Sequence, residues 1–133
     1  MKVITLTGPS NSGKTTTLNR LYERLLKSGA TDILPPNVCI DSPSTDKEYY
    51  INWKGKKVGI VTMGDWSNVI IWYLGLYSGR TADVLIIADN RSTTPFFIMD
   101  RHGIEYATIE KRDIFEKELV DDIIDKLNEF CNE

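Results

Sequence analysis

Two spacings of apolar residues alternate along most of the chain. A run rich in β-branched residues at 2–7 predicts a buried strand at the start. The following segment, 16–27, places Leu18, Leu21 and Leu25 on one face of a helix and polar residues on the other. The chain therefore opens with a strand and an amphipathic helix, separated by a short glycine-containing segment.

The later elements follow from the same kind of pattern. Segment 30–47, which contains Pro35-Pro36, is polar and predicts a long surface segment. Two apolar runs around Lys54-Gly55-Lys56 predict a hairpin. Beyond the hairpin the pattern predicts, in order, a helix at 67–78, a strand at 83–88, a helix at 94–102, a strand at 104–109 and a helix at 113–131.

Alternation of strands and helices is typical of α/β proteins. We predict a mainly parallel sheet with helices on both faces and an antiparallel strand at one edge, because connections through helices join parallel strands and the hairpin joins antiparallel ones. A chain of 133 residues is expected to form a single domain, residues 1–133, that buries a substantial core.

The helix predicted at 67–78 is apolar around nearly its whole circumference, whereas a helix on one face of a sheet usually has a polar outer side. One explanation is that the long surface segment or the terminal helix covers its outer side. The alternative hypothesis is a homodimer contact or a protein partner at this helix.

Composition narrows the function classes. With 41% hydrophobic residues, 26% charged residues and a net charge of −3, the chain lacks the basic balance of a broad nucleic-acid binder, so no nucleic acid is implied. No apolar run is long enough to cross a membrane. The first strand begins at once, which leaves no room for a signal peptide, and Cys39 and Cys131 lack metal-ligand spacing. We expect free thiols and a cytoplasmic location.

The segment Gly8–Thr15 lies between the first strand and the first helix and has the spacing G-x-x-x-x-G-K-[ST]. Gly8 and Gly13 allow backbone N–H groups to turn inward around phosphates, and the helix N-terminus adds partial positive charge. Lys14 would reach the β- and γ-phosphates, and the Thr15 hydroxyl would ligate Mg²⁺. The predicted nucleotide-binding residues are Gly8, Pro9, Ser10, Asn11, Ser12, Gly13, Lys14, Thr15 and Thr16.

This segment resembles the Walker A motif of the P-loop NTPase superfamily, and the resemblance covers residues 2–28. It implies a P-loop type of sheet, with ATP or another nucleoside triphosphate and Mg²⁺ as ligands. It also implies an acidic residue at the end of a neighbouring strand, on the metal side. Asp65 is the candidate that we favour for this position, and Asp89, which ends another apolar strand, is the alternative.

Further candidates lie in loops expected at the carboxyl edge of the sheet, where ligands of such sheets collect. Arg91 could stabilise charge on a transferring phosphoryl group. The acids and hydroxyls of segment 41–47 could position an attacking water, hold Mg²⁺ or bind an acceptor hydroxyl, and we favour Asp41 or Thr45 as the functional residue there. In a kinase, Asp41 or Asp65 would be the base. The predicted catalytic residues are thus Lys14, Arg91 and Asp41.

The branch of the superfamily stays open. Residues 110–113 are similar to the guanine-reading N-K-x-D motif but carry Glu in place of Asn, and 65–68 lack the glycine of the GTPase D-x-x-G element. We expect a small Mg²⁺-dependent protein that binds ATP and slowly hydrolyses the β–γ bond. The alternatives are a nucleotide or small-molecule kinase that transfers the γ-phosphate, and a nucleotide sensor without turnover.

Overall fold

The computed structural model describes residues 1–9, 13–39, 46–63, 67–89, 94–111 and 116–132. Within these ranges six strands and four helices follow one another, so the predicted α/β class is confirmed, with one strand more than the five predicted. The elements are β1 (Lys2–Thr7), α1 (Lys14–Lys27), β2 (Thr31–Val38), β3 (Lys47–Trp53), β4 (Lys56–Val61), α2 (Ser67–Gly79), β5 (Val84–Asp89), α3 (Thr94–Arg101), β6 (Tyr106–Glu110) and α4 (Glu116–Cys131).

The strands form one mixed sheet in the order β2-β3-β4-β5-β1-β6. β1 pairs in parallel with β5 on one side and β6 on the other, and β4 pairs in parallel with β5. β3 is antiparallel to both β4 and β2. The prediction of an antiparallel strand is confirmed, but its position at the edge is wrong, because β2 adds outside β3.

β2 corrects the prediction that 30–47 is only a surface segment. All eight residues of β2 are exposed, so the strand shows no alternation of apolar and polar residues that could have revealed it. Pro35 and Pro36 also lack the N–H groups that a ladder needs. The pairing with β3 accordingly shifts register between Asp32 and Leu34 and again between Leu34 and Asn37.

Two hydrophobic cores lie on opposite faces of the sheet, because successive side chains of a strand point to opposite sides. Ile4 and Leu6 of β1 join the first core with α1 and α4, whereas Val3 joins the second core, which contains buried residues of α2 and α3. Helices therefore cover both faces, as predicted. The terminal helix α4 lies on the face opposite α2, so the expectation that it covers α2 is wrong.

α2 buries one side and exposes another. Ile70, Tyr73, Leu74 and Tyr77 are buried, whereas Trp72 is 48% exposed. Cys39, which belongs to the segment expected to cover this helix, does pack in the same core. A homodimer or partner contact at α2 stays a hypothesis.

Two further expectations concern the helices and the cysteines. Among the described residues, no helix combines the length and the apolar character that crossing a membrane requires. Cys39 and Cys131 are both free thiols, which confirms the prediction.

Gly59 of β4 marks a close contact between the sheet and α2. A Cβ at Gly59 would lie 2.5 Å from Cε1 of Tyr77, whose side chain is fully buried. We predict that Gly59→Ala lowers the free energy of unfolding by about 1–3 kcal/mol, because the added Cβ would force the buried Tyr77 ring and the Leu85 side chain out of their packed positions. Urea denaturation followed by circular dichroism would measure the loss.

The matched control is Gly75→Ala in α2, where an added Cβ meets nothing within 4 Å. Alanine is a better helix former than glycine, so this variant should gain up to about 1 kcal/mol. Equal effects of the two substitutions would contradict the close contact at Gly59.

Candidate functional site

The central strand β1 ends at the edge where its parallel neighbours also end. Thr7 pairs with Asp89 of β5 and with Glu110 of β6. The ladder continues one step further, because the Gly8 N–H donates to the Asp89 carbonyl at 3.1 Å and the Lys111 N–H donates to the Thr7 carbonyl at 2.7 Å. The segment that begins at Gly8 is thus held in the middle of the carboxyl edge, where ligands of such sheets usually bind.

α1 begins directly at this edge. Its N-cap, Gly13, has a φ of 87°, in the left-handed region that glycine adopts without strain. No side chain caps the helix at Gly13, and the Thr17 N–H makes the first helical bond, to the Gly13 carbonyl at 3.0 Å. The amides of the first turn therefore have no partners within the helix, and the positive end of the helix dipole lies at Gly13.

The Lys14 side chain folds back towards the segment that precedes it. Its Nζ donates to the carbonyl of Gly8 at 2.9 Å and to the carbonyl of Pro9 at 2.7 Å. Lys14 is only 6% exposed, although lysine is almost never buried to this extent. The ammonium group is thus held against the backbone of the predicted phosphate-binding loop.

Thr15, the next residue, points to a cluster of oxygen atoms. Its Oγ1 lies 3.0 Å from Oδ1 of Asp46 and 3.3 Å from the Thr62 carbonyl oxygen. The Thr62 hydroxyl lies 3.3 Å from the same Asp46 oxygen. Asp46 precedes β3 and Thr62 follows β4, so the antiparallel pairing of these strands brings the two residues to the same edge.

A second lysine approaches the loop from the other side. Lys111, directly after β6, donates from Nζ to Oγ1 of Thr17 at 3.1 Å. The same Nζ lies 3.8 Å from the position that a Cβ on Gly13 would take. Oγ1 of Thr17 is also 3.1 Å from the Gly13 carbonyl and 3.2 Å from Oε1 of Glu116 in α4. The start of α4 is thereby connected to the start of α1.

Acids and cations meet at this edge, the acids at the side of β3 and β5 and the lysines at the side of β1 and β6. The Lys14 and Lys111 ammonium groups adjoin the loop, Asp46 adjoins Thr15, and Asp89 is fully buried at the end of β5. This arrangement provides positive charge for an anion and carboxylate oxygen for a cation at one edge of the sheet.

Cys39 is buried near the acidic part of the site. Its N–H donates to the Asp46 carbonyl at 2.9 Å. Burial raises the pKa of the Cys39 thiol to about 11, and the charges of Asp46 and Glu48 act in the same direction. Burial therefore disfavours the thiolate form of Cys39 in the metal-free protein.

The predicted site residues fall into two groups. The structure brings Gly8, Pro9, Gly13, Lys14 and Thr15 together at the carboxyl edge, and Thr16 is exposed in the first turn of α1. The predicted residues that lie outside the described parts of the chain are Ser10, Asn11, Ser12, Asp41, Thr45, Asp65 and Arg91.

Sequence reasoning missed three residues that the structure places at this edge. Asp46 belongs to the segment 41–47, in which Asp41 or Thr45 was favoured, and Thr62 ends the second strand of the predicted hairpin. Pairing the two hairpin strands on paper would have placed Asp46 beside Thr62. Lys111 was noted only as part of a base-recognition motif, and no local signal directs its side chain to Gly13.

Comparisons of the chain with protein-family models, with curated proteins and with solved structures gave no match. The described residues also include no group of three or more His, Cys, Asp and Glu side chains that could hold a metal ion. A cation at this edge would therefore need hydroxyl, carbonyl or ligand oxygens in addition to a carboxylate.

The hydroxyl of Thr17 connects three elements at the site, and its removal tests that connection. We predict that Thr17→Val lowers the free energy of unfolding by about 1–3 kcal/mol, because fully buried Thr17 would no longer accept from Lys111 or contact Glu116. Chemical denaturation in the absence of any nucleotide would measure this change.

The control is Thr16→Val, at the exposed neighbouring position of the same helical turn. Thr16→Val makes the same chemical change and alters helix propensity by the same amount as Thr17→Val. We therefore expect only a small change in the free energy of unfolding. If both variants lost equal stability, the bonds of Thr17 would contribute nothing.

Proposed function

We propose that this protein binds a nucleoside triphosphate with Mg²⁺, ATP in the first instance, through residues 8–16 and slowly hydrolyses its β–γ bond. The observation that supports this most is the position of Lys14. Its buried ammonium is enclosed by the carbonyls of Gly8 and Pro9, at the N-terminus of α1 and at the carboxyl edge of the sheet.

Burial of the Lys14 ammonium has an energetic consequence. A charge taken out of water costs several kcal/mol unless an opposite charge or strong dipoles compensate it. The carbonyls of Gly8 and Pro9 supply dipoles, and the oxygens of a polyphosphate would add negatively charged acceptors for the same ammonium. The lysine can exchange these carbonyls for phosphate oxygens, while first-turn amides of α1 bind the same phosphates.

The oxygen atoms around Thr15 fit Mg²⁺. Mg²⁺ takes oxygen ligands, keeps several waters and is usually held by one or two carboxylates together with substrate phosphates. Thr15 and Asp46 would hold it, with Thr62 beside them, because their oxygens already lie within hydrogen-bond distance of one another. When bound, Mg²⁺ neutralises charge on the β- and γ-phosphates.

The chain's own residues then have distinct tasks in hydrolysis. Lys14 and first-turn amides orient the triphosphate and stabilise charge that develops on its oxygens. The Asp46 carboxylate can also accept a hydrogen bond from a water molecule and orient it. Asp65 and Arg91 stay predictions for the same edge, and Asp89 stays the alternative acid.

Replacing Lys14 tests binding and turnover together. We predict that Lys14→Ala weakens the affinity for Mg²⁺–ATP about 10- to 100-fold, since each charge-assisted hydrogen bond contributes about 1.5–3 kcal/mol. Isothermal titration calorimetry would give the affinity. A phosphate-release assay on the same preparations should show slow hydrolysis by the native protein and none by Lys14→Ala.

The control is Lys27→Ala, which removes an exposed lysine at the other end of α1. If the native protein released phosphate no faster than Lys14→Ala, hydrolysis would be ruled out, and a nucleotide sensor or a kinase would be left as the function. A metabolite that gains a phosphate from ATP would identify the kinase. No binding of any nucleoside triphosphate with Mg²⁺, by correctly folded protein, would refute the whole proposal.

Asp46 can be tested by direct detection of a metal. We predict that Asp46→Asn weakens Mn²⁺ binding in the presence of nucleotide about tenfold, because a neutral amide replaces the carboxylate beside Thr15. Electron paramagnetic resonance of Mn²⁺ reports this without any turnover. Asp125→Asn, on the exposed side of α4, is the matched control. Equal Mn²⁺ affinity in both variants would remove Asp46 from the metal side.

A further inference from the structure

A cavity of about 340 Å³ lies apart from the loop at Gly8–Thr15, between the β2–β3 edge of the sheet and the end of α2. Its volume is at the lower end of the range for small-molecule sites. None of its lining residues belongs to the proposed nucleotide site; they are Leu34, Pro35, Pro36, Asn37, Glu48, Tyr50, Tyr77 and Arg80.

The sequence of β2 explains why the cavity exists. Pro35 and Pro36 cannot donate to a ladder, and the pairing of β2 with β3 shifts register on either side of Leu34. A regular strand would pair evenly with β3, whereas this irregular one leaves space beside Tyr50. The same residues make that wall apolar, and Leu34 is 41% exposed.

The polar part of the cavity consists of two oppositely charged side chains, Arg80 and Glu48, that do not form a hydrogen bond with each other. Nη1 of Arg80 lies 3.8 Å from Oε1 of Glu48, which is beyond hydrogen-bond distance. Nη1 is buried and has no hydrogen-bond partner among the described residues. A buried donor without an acceptor is destabilising, so a suitable ligand oxygen would be stabilising here.

Aromatic rings hold the Arg80 guanidinium in place. Its Cζ lies 4.9 Å from the centre of the Tyr77 ring and 5.7 Å from that of Tyr50. The Tyr50 hydroxyl donates to the Arg80 carbonyl at 3.0 Å, which fixes the backbone as well. The side chain as a whole remains 28% exposed and lines the cavity, although Nη1 itself is buried. Such a group is suited to bind a planar carboxylate.

We propose that this cavity binds a small zwitterionic amino acid with an apolar side chain, its carboxylate on Arg80, its ammonium on Glu48 and its side chain against Leu34, Pro35 and Pro36. This inference does not depend on nucleotide binding, because the two sites share no residue.

The two charges favour a zwitterion over a simple anion. Glu48 would repel an anion bound to Arg80, and Arg80 would repel a simple cation bound to Glu48. A ligand that carries both charges on adjacent atoms satisfies both groups at once. The apolar wall formed by Leu34 and the two prolines then selects for an apolar side chain.

The native protein can be tested with L-leucine and two analogues that each lack one charge. We expect L-leucine to bind in ligand-observed NMR titrations, and L-leucinol and 4-methylpentanoate to bind at least about tenfold more weakly, because each loses one charge-assisted contact. Glycine should also bind more weakly, because it lacks the apolar side chain.

Variants assign the contacts to residues. Glu48→Gln should weaken L-leucine binding but strengthen 4-methylpentanoate binding, since the repulsion of the carboxylate is removed. Arg80→Met should abolish L-leucine binding, and Lys27→Met, which removes an exposed cation elsewhere, should leave it unchanged. Arg80 packs on two rings, so Arg80→Met is interpreted only if circular dichroism shows that the variant has native structure. If it does not, Glu48→Gln and the two analogues test the proposed binding mode.

Three results would overturn the proposal. The first is no L-leucine binding by the native protein at millimolar concentration, which would make the cavity a by-product of the two prolines. The second is equal binding of L-leucine and both analogues. The third is binding of L-leucine that Glu48→Gln leaves unchanged.

Discussion

Two backbone hydrogen bonds determine where the candidate site lies. The Gly8 N–H donates to Asp89 and the Lys111 N–H donates to Thr7, so the pairing of β1 with β5 and β6 extends beyond the ends of the strands. These bonds fix the start of the glycine-containing segment and the residue after β6 at one edge. The carbonyls of Gly8 and Pro9, which accept from Lys14 Nζ, are thereby held at the same edge.

Local patterns in the sequence predicted the parts of the fold that are buried on one or both sides. β1 and α1 have the periodicities of a buried strand and an amphipathic helix, and their bounds agree closely with prediction. β2 could not be predicted in this way, because a strand exposed on all its residues has no apolar face and contains two prolines. Pairing with β3, which is a tertiary interaction, makes this segment a strand.

The candidate site shows the same division between local and tertiary information. Gly13, Lys14 and Thr15 are adjacent, so the motif itself located them. Asp46 is 31 residues from Thr15, and its contact with the Thr15 hydroxyl depends on how β3 pairs with β4. Lys111 lies beyond β6, and its contact with Thr17 depends on the neighbouring position of β1. Contacts of this kind follow from strand order, which spacing alone does not determine.

The antiparallel direction of β3 explains how residues at its start contribute both to the carboxyl edge of the sheet and to the cavity beside α2. β1, β4, β5 and β6 all end at the carboxyl edge, whereas antiparallel β3 begins there, so the residue before it, Asp46, reaches Thr15. The chain then runs away from that edge, and alternation along β3 directs Glu48 and Tyr50 to the face covered by α2. If β3 were parallel to its neighbours, it would end at this edge. The residue before it, Asp46, would then lie at the opposite edge, far from Thr15. The hairpin that the sequence indicated most clearly is thus the element that supplies the acid that sequence reasoning missed.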